Sequence, residues 1–386
     1  MKNIKIFNNI SDEGLKLLDP QKYNVSKDFE DYDAALVRSA ALHDVEFPQN
    51  LIAIARAGAG VNNIPLDICS KKGICVFNTP GANANAVKEL VIAALLMTSR
   101  KINESINWVH TLEGQEDISK TIEKNKSAFV GPEIMGKTLG VIGLGAIGAM
   151  VANAASALGM NVIGYDPFIT VKNAWMLSRK VSYSATLEAM LPQCDYVTIH
   201  VPVLPSTKGL FNEKMFSVCK KGMRLLNFSR GELVVNDALF AAIENGTVER
   251  YATDFPSSDM LSNEKIVAIP HLGASTPESE DNCARMAVNE IINYIETGNI
   301  TNSVNFPNCE LNYTGLERIT IYHTNTPNMV SSLTQALSKY NINIAGMANQ
   351  SRGEFAYTII DIDDDLHKDI ENILKIIEGV IKVRII

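Results

Sequence analysis

Residues 137–168 read KTLGVIGLGAIGAMVANAASALGMNVIGYDPF. The apolar run Leu139–Ile142 has strand character, and Gly143, Gly145 and Gly148 follow it in G-x-G-x-x-G spacing. An alanine-rich helical stretch comes next, then a second apolar run, Val162–Tyr165, which ends at Asp166. The first glycine permits a tight strand-to-helix turn, the second lets a pyrophosphate approach the backbone, and the third lets helix and strand pack closely. The free N–H groups and positive end of that helix favour the anion. Asp166 stands where an acid can accept from a ribose 2′-OH and would repel a 2′-phosphate. The stretch therefore predicts a dinucleotide site that takes NAD rather than NADP.

Working outward, 386 residues predict two or three domains. With 46% hydrophobic and 20% charged residues, the chain can bury sizeable cores. A net charge of −8 argues against a nucleic-acid or anionic-membrane surface, so an anionic substrate would need a local cluster of arginines. The six cysteines are scattered with no C-x-x-C, which argues for reduced thiols in a cytoplasmic protein and against a zinc site. MKNIKIFNNI at the start is a strand candidate, too polar for a signal peptide, and no apolar run approaches a membrane span.

Upstream, Ile4–Phe7, Ala34–Val37, Leu51–Ala55 and Ile74–Phe77 read as strands alternating with helices, which implies a parallel sheet. Ligands of such sheets bind beyond the carboxyl ends of the strands, where Arg38 and Arg56 lie. Asn83 to about His110 reads as one long helix, with an apolar face through Ala84, Val87, Leu90, Val91, Ala94 and Leu95, and 113–127 as a polar loop or short exposed helix. Downstream, strands Asp195–Ile199, Arg224–Phe228, Arg250–Thr253 and Lys265–Ile269 end near His200, Arg230, Asp254 and His271. Four polar groups at successive strand ends beside a dinucleotide turn point to chemistry. Pro277 to Tyr294 reads as a helix with Pro at its first turn, and 297–312 as an Asn-, Thr- and Pro-rich linker. The tail then runs strand Ile319–His323, helix Met329–Tyr340, strands Ile342–Ala348 and Ala356–Ile362, helix Leu366–Glu378 and strand Ile381–Ile386, a βαββαβ ferredoxin-like order.

VRSA at 37–40, RAGAGVNNI at 56–64, NTPGANANAVKELV at 78–91, GLGAIG, YDPF, NFSRGELV at 227–234, TDF at 253–255 and PHLGAST at 270–276 together resemble the D-isomer-specific 2-hydroxyacid dehydrogenases over about residues 1–305. Among these the chain is most similar to the members that oxidise 3-phospho-D-glycerate to 3-phosphohydroxypyruvate, the first step of L-serine biosynthesis. Its tail resembles an ACT regulatory domain. The resemblance implies an α/β fold of two Rossmann-like parallel-sheet domains plus the C-terminal module. It implies a discontinuous substrate domain, 1–100 with 282–308, an NAD domain at 101–281, an ACT domain at 315–386, an active site in the cleft between the first two domains, and a homodimer or homotetramer.

The family's catalytic Arg and His fall on Arg230 and His271. Its Glu falls by ungapped counting on Asp259, with Asp254 and Glu264 open as alternatives. Asp254 itself matches the family's acid near the nicotinamide. Cofactor contacts are implied for Gly143, Gly145, Ala146, Ile147, Gly148, Asp166, Phe228, Ser229 and Arg230, besides Asp254. Substrate contacts are implied for Arg38, Arg56, Gly58 and Asn83, with Lys126 a further candidate. His323, Asn325 and Asn343 match positions that hold L-serine in serine-responsive ACT modules, although Asn328 stands where the family has glycine. The residue types suit alcohol oxidation: His is a base near working pH, a carboxylate would orient it, and Arg can hold a carboxylate through two bonds. Alternatives are another D-2-hydroxy acid such as 2-hydroxyglutarate, or a catalytically inactive NAD-binding amino-acid sensor.

Overall fold

The computed structural model describes residues 1–313, 315–363 and 369–386. They divide into two compact units, residues 1–83 with 277–386, and residues 84–276. The first unit opens with a parallel sheet of β1 (Lys2–Ile6), β2 (Tyr23–Ser26), β3 (Ala34–Val37), β4 (Ala53–Arg56) and β5 (Cys75–Asn78), in the order β2-β1-β3-β4-β5. β2 is absent from the sequence reading because YNVS is short and half polar, the pattern of an edge strand. Val37 pairs with Arg56, so Arg38 and Arg56 emerge side by side at the same sheet end. The helix Pro277–Thr297 covers this sheet, burying Ala284, Ala287, Val288, Ile291 and Tyr294 at helical spacing against Ile4, Leu36 and Phe77.

The second unit holds seven parallel strands: β6 (Thr138–Ile142), β7 (Asn161–Tyr165), β8 (Val181–Tyr183), β9 (Tyr196–Ile199), β10 (Met223–Asn227), β11 (Val248–Thr253) and β12 (Ile266–Ala268). Their order, β12-β11-β10-β9-β6-β7-β8, reverses direction between β6 and β9, the topological switch point where doubly wound sheets bind ligands. β8 escaped the sequence reading: it is three residues long, and its Ser182 and Tyr183 are exposed. The expected single helix from Asn83 to His110 is two, Ala84–Ser99 and Ile102–His110, because the backbone leaves helical values at Lys101 (φ 14°, ψ 44°). No Gly or Pro marks that break. The polar segment after it forms an exposed helix, Ile118–Asn125.

Back in the first unit, β13 (Glu317–Thr324), β14 (Ile344–Arg352), β15 (Phe355–Ile362) and β16 (Val380–Ile385) form an antiparallel sheet ordered β14-β15-β13-β16. With helices Met329–Lys339 and Ile370–Lys375 this is the expected βαββαβ arrangement; residues 366–368 of the expected second helix lie outside the described residues. One face of the sheet packs Ile319, Ile321 and Ile360 against Leu333, Leu337 and Leu374. The other face carries Tyr322, Tyr357 and Ile359 into the same core as Phe77, Tyr294 and Phe306. Residues 297–312 are thus not a free linker. Ile300 bridges Cys309, Ser303 bridges Phe77, and Phe306 is fully buried. No helix among the described residues is long and apolar enough to cross a membrane.

Candidate active site

The glycine turn sits at the switch point. Gly143 follows β6 with φ +87°, and a Cβ there would meet the His200 carbonyl and the Val201 side chain, so only glycine fits. A Cβ on Gly148 would collide with the Gly143 carbonyl. Above Gly145, at the start of the helix Ala146–Ala157, nothing lies within 4 Å of where a Cβ would point. This open cradle is what a pyrophosphate needs. Asp166, just past β7, accepts from Leu144 N at 2.8 Å and Phe168 N at 2.9 Å, which fixes its carboxylate beside the turn. The residues present therefore fit a dinucleotide.

Arg230, Asp254 and His271 all belong to the second unit, at the ends of β10, β11 and β12. Asn227 organises the first of these turns. Its amide donates to the Arg230 carbonyl at 2.8 Å while its Oδ1 accepts from Ser229 N at 3.2 Å. Ser229 Oγ donates to Val201 O at 2.7 Å, tying the turn to the loop after β9. The Phe255 ring neighbours both catalytic candidates, 5.7 Å from the Arg230 guanidinium carbon and 4.5 Å, centroid to centroid, from the His271 ring. His271 is exposed. Asp254 is 2% exposed, and among the described residues neither carboxylate oxygen makes a hydrogen bond of full geometry, although the Gly273 backbone lies alongside. Burial pushes its pKa up, against the pull of His271, the Gly273 N–H and Arg230.

The structure does not bring Asp259 to His271. Asp259 is exposed and engaged by the Ser257 hydroxyl and the Asn236 amide, the former holding its carboxyl below the usual value. The shorter Asp side chain closes a local turn instead of reaching out. His200, the remaining strand-end imidazole, pairs within its own strand end. It is half-buried, with Nε2 3.0 Å from Thr198 Oγ1, and desolvation lowers its pKa to about 4.

In the first unit, Arg38, Arg56 and Gly58 come together. Arg56 Nε donates to the Arg38 carbonyl at 3.0 Å, and Gly58 (φ +154°) leaves room for the Arg56 guanidinium, since a Cβ there would sit 2.5 Å from its Nη1. Arg38 N donates to Asn8 Oδ1 at 2.9 Å. Asn83 ends this part of the unit. The three ACT-type candidates differ in exposure and in their partners. His323 is buried, with Nδ1 2.8 Å from Thr324 O and Nε2 2.8 Å from Thr358 Oγ1, which in turn contacts Asn349 Oδ1. Burial lowers its pKa. Exposed Asn325 donates to Gly353 O at 3.2 Å and exposed Asn343 to Asp363 Oδ2 at 2.9 Å. Asn328 takes the left-handed backbone that a glycine would favour (φ +65°).

Sequence reasoning assigned no role to Asn227, Phe255 or Glu280. The first two lie inside motifs that were legible; Glu280, whose Oε1 lies 2.7 Å from Arg38 Nη2, gave no signal, because Arg38 is distant in sequence.

Residues 92–273 match the NAD binding domain of the D-isomer specific 2-hydroxyacid dehydrogenases. The D-3-phosphoglycerate dehydrogenase of Haemophilus influenzae is 32% identical over 354 residues, 89% of this chain and 83% of that protein. The enzyme of that name from Bacillus subtilis is 36% identical over 287 residues, 72% of this chain and 52% of that one. The chain thus spans about half the length of the Bacillus relative, and of the rat and human ones. The NAD-bound 3-phosphoglycerate dehydrogenase of Entamoeba histolytica superposes with a TM-score of 0.60 at 25% identity, over 79% of this chain and 98% of that one. Rhodotorula graminis D-mandelate dehydrogenase, at 22% identity, shares the fold with a TM-score of 0.64 over 76% and 94% of the two chains. The chain belongs to the D-isomer-specific 2-hydroxyacid dehydrogenase family and is an NAD-dependent oxidoreductase.

Proposed function

We propose that this protein oxidises 3-phospho-D-glycerate to 3-phosphohydroxypyruvate, the first step of L-serine biosynthesis. The observation that supports the substrate assignment is the placing of two arginines, Arg38 and Arg56, at neighbouring strand ends, with Arg56 Nε bonded to the Arg38 carbonyl, residue types suited to a phosphate. When bound, NAD supplies the hydride acceptor. Gly143, Gly145 and Gly148, with Ala146 and Ile147 at the helix start, hold its pyrophosphate, Asp166 its ribose, and Phe228 and Ser229 line the site. Arg230 binds the substrate's α-carboxylate and polarises the oxygen that becomes the carbonyl. His271 takes the hydroxyl proton as general base. Asp254, buried and electrostatically coupled to His271, stabilises the imidazolium that results. Gly58 and Asn83 add contacts to the substrate.

The C-terminal βαββαβ module is, on this reading, an ACT domain in a homodimer or homotetramer, and L-serine bound through Asn325 and Asn343 slows turnover. The two exposed asparagines support that role; His323, spent on Thr324 and Thr358, supports it less. Initial rates of NADH formation across 3-phosphoglycerate, 2-hydroxyglutarate, lactate and glycerate, with and without millimolar L-serine, test the reading. A preference for 3-phosphoglycerate is expected. Faster turnover of an unphosphorylated acid would reassign the substrate, and indifference to serine would remove the effector. Light scattering reads the assembly.

A further inference from the structure

The first turn of the helix Pro277–Thr297 carries Glu280, which the proposed chemistry does not use. Its Oε1 lies 2.7 Å from Arg38 Nη2, with both side chains partly exposed. Arg38 is otherwise fixed through its backbone, by Asn8 on one side and Arg56 on the other. The place that the Glu280 carboxylate occupies therefore favours any anion: the Arg38 guanidinium faces it, Arg56 is bonded to the Arg38 backbone, and Glu280 itself belongs to the first turn of a long helix. The chain fills that place with a negative charge of its own. An ion pair this exposed is weak enough for a doubly charged phosphate to displace.

We propose that Glu280 is an affinity-setting residue, a displaceable internal anion that competes on Arg38 with the phosphate of substrate and product. The inference rests on Arg38 holding that phosphate. While the site is empty the carboxylate holds Arg38 in place. When the phosphorylated acid binds, it must displace the carboxylate, and when product leaves, the carboxylate returns. KM is thereby raised without any change at the reacting carbon.

The test compares wild type, Glu280→Gln, Arg38→Gln and the double variant, by steady-state kinetics with 3-phosphoglycerate and by calorimetric binding of inorganic phosphate. Glu280→Gln should lower KM by about two- to fivefold, the weight of an exposed pair, with kcat changed less than twofold, and should tighten phosphate binding by a similar factor. Both gains should vanish in the Arg38→Gln background. An unchanged or raised KM for Glu280→Gln, while Arg38→Gln raises KM, would overturn the role of Glu280 and leave the substrate assignment standing. If wild type does not turn over 3-phosphoglycerate, that assignment fails, and phosphate binding decides alone: tightening by Glu280→Gln upholds the internal anion, and no tightening overturns it.

Discussion

Two glycines three residues apart make opposite predictions. A Cβ at Gly145 points into open space, whereas one at Gly148 meets the Gly143 carbonyl. Gly145→Ala should therefore keep its melting temperature and lose NAD affinity, by on the order of tenfold. Gly148→Ala should lose stability by about 1–3 kcal/mol or more, as overpacking does. Thermal melts with NAD titrations separate the two, and equal melting temperatures would contradict this reading. The acids around His271 divide in the same way. Removing an anion beside an imidazolium lowers its pKa, so Asp254→Asn should move the acidic limb of the kcat profile down by about one pH unit. Asp259→Asn should leave it in place, since Ser257 and Asn236 hold that carboxylate. The reverse pattern would restore Asp259 to the role that ungapped counting gave it. Counting places a residue along the chain, but it does not show whether a side chain one methylene shorter still reaches.

Among the elements, the helix Pro277–Thr297 holds the least expected group. Glu290 is 5% exposed; Oε1 accepts from Asn302 at 2.8 Å, and Oε2 has no hydrogen-bond partner among the described residues. Burial raises its pKa to about 8, with the Asn302 bond opposing. Between the ordinary carboxylate pKa and about 8 the folded state holds a proton that the unfolded chain releases, so this contribution to stability is full below that window and is lost as pH rises through it. Glu290→Gln keeps the Asn302 acceptor and carries no charge. It should flatten the stability profile and gain roughly 1–4 kcal/mol above pH 8, on the scale of one to three pKa units. Urea midpoints at pH 6 and 9 check this, and parallel losses in both proteins would refute it. Elements with strong patterns were legible: β3 coincides with its expectation, and the glycine turn, the strand-end Arg230 and His271 and the βαββαβ order all stand in the structure. Short edge strands such as β2 and β8 carry too few apolar residues to register, and the break at Lys101 has no breaker residue.

At the scale of the molecule, the C-terminal module is built into the first unit. Arg318 and Asp361, both fully buried, pair through two bonds of 2.6 and 2.8 Å, and Arg318 also donates to Thr297 O at 2.7 Å and Leu311 O at 2.9 Å. Tyr322 donates to the Tyr294 hydroxyl at 2.7 Å, and Arg384 stacks on the Tyr294 ring at 4.4 Å. Composition alone read 297–312 as a linker, because asparagine and proline mark loops whether or not a loop is buried. Arg318→Met would leave the Asp361 carboxylate buried without its guanidinium, and should cost about 3–5 kcal/mol in urea unfolding. A loss under 1 kcal/mol would mean that the module is held by its apolar face alone.

All of these scales meet in one claim, that His271 takes a proton from 3-phosphoglycerate while NAD is reduced. The direct measurement is the initial rate of NADH formation from 3-phosphoglycerate by wild type and His271→Ala, with NAD binding followed in parallel. The wild type should produce one NADH per phosphohydroxypyruvate formed. The variant should lose at least about a hundredfold in kcat, the lower bound for a general base, with NAD affinity unchanged. A His271→Ala enzyme that turns over like wild type, or a wild type inert toward 3-phosphoglycerate, would contradict the account.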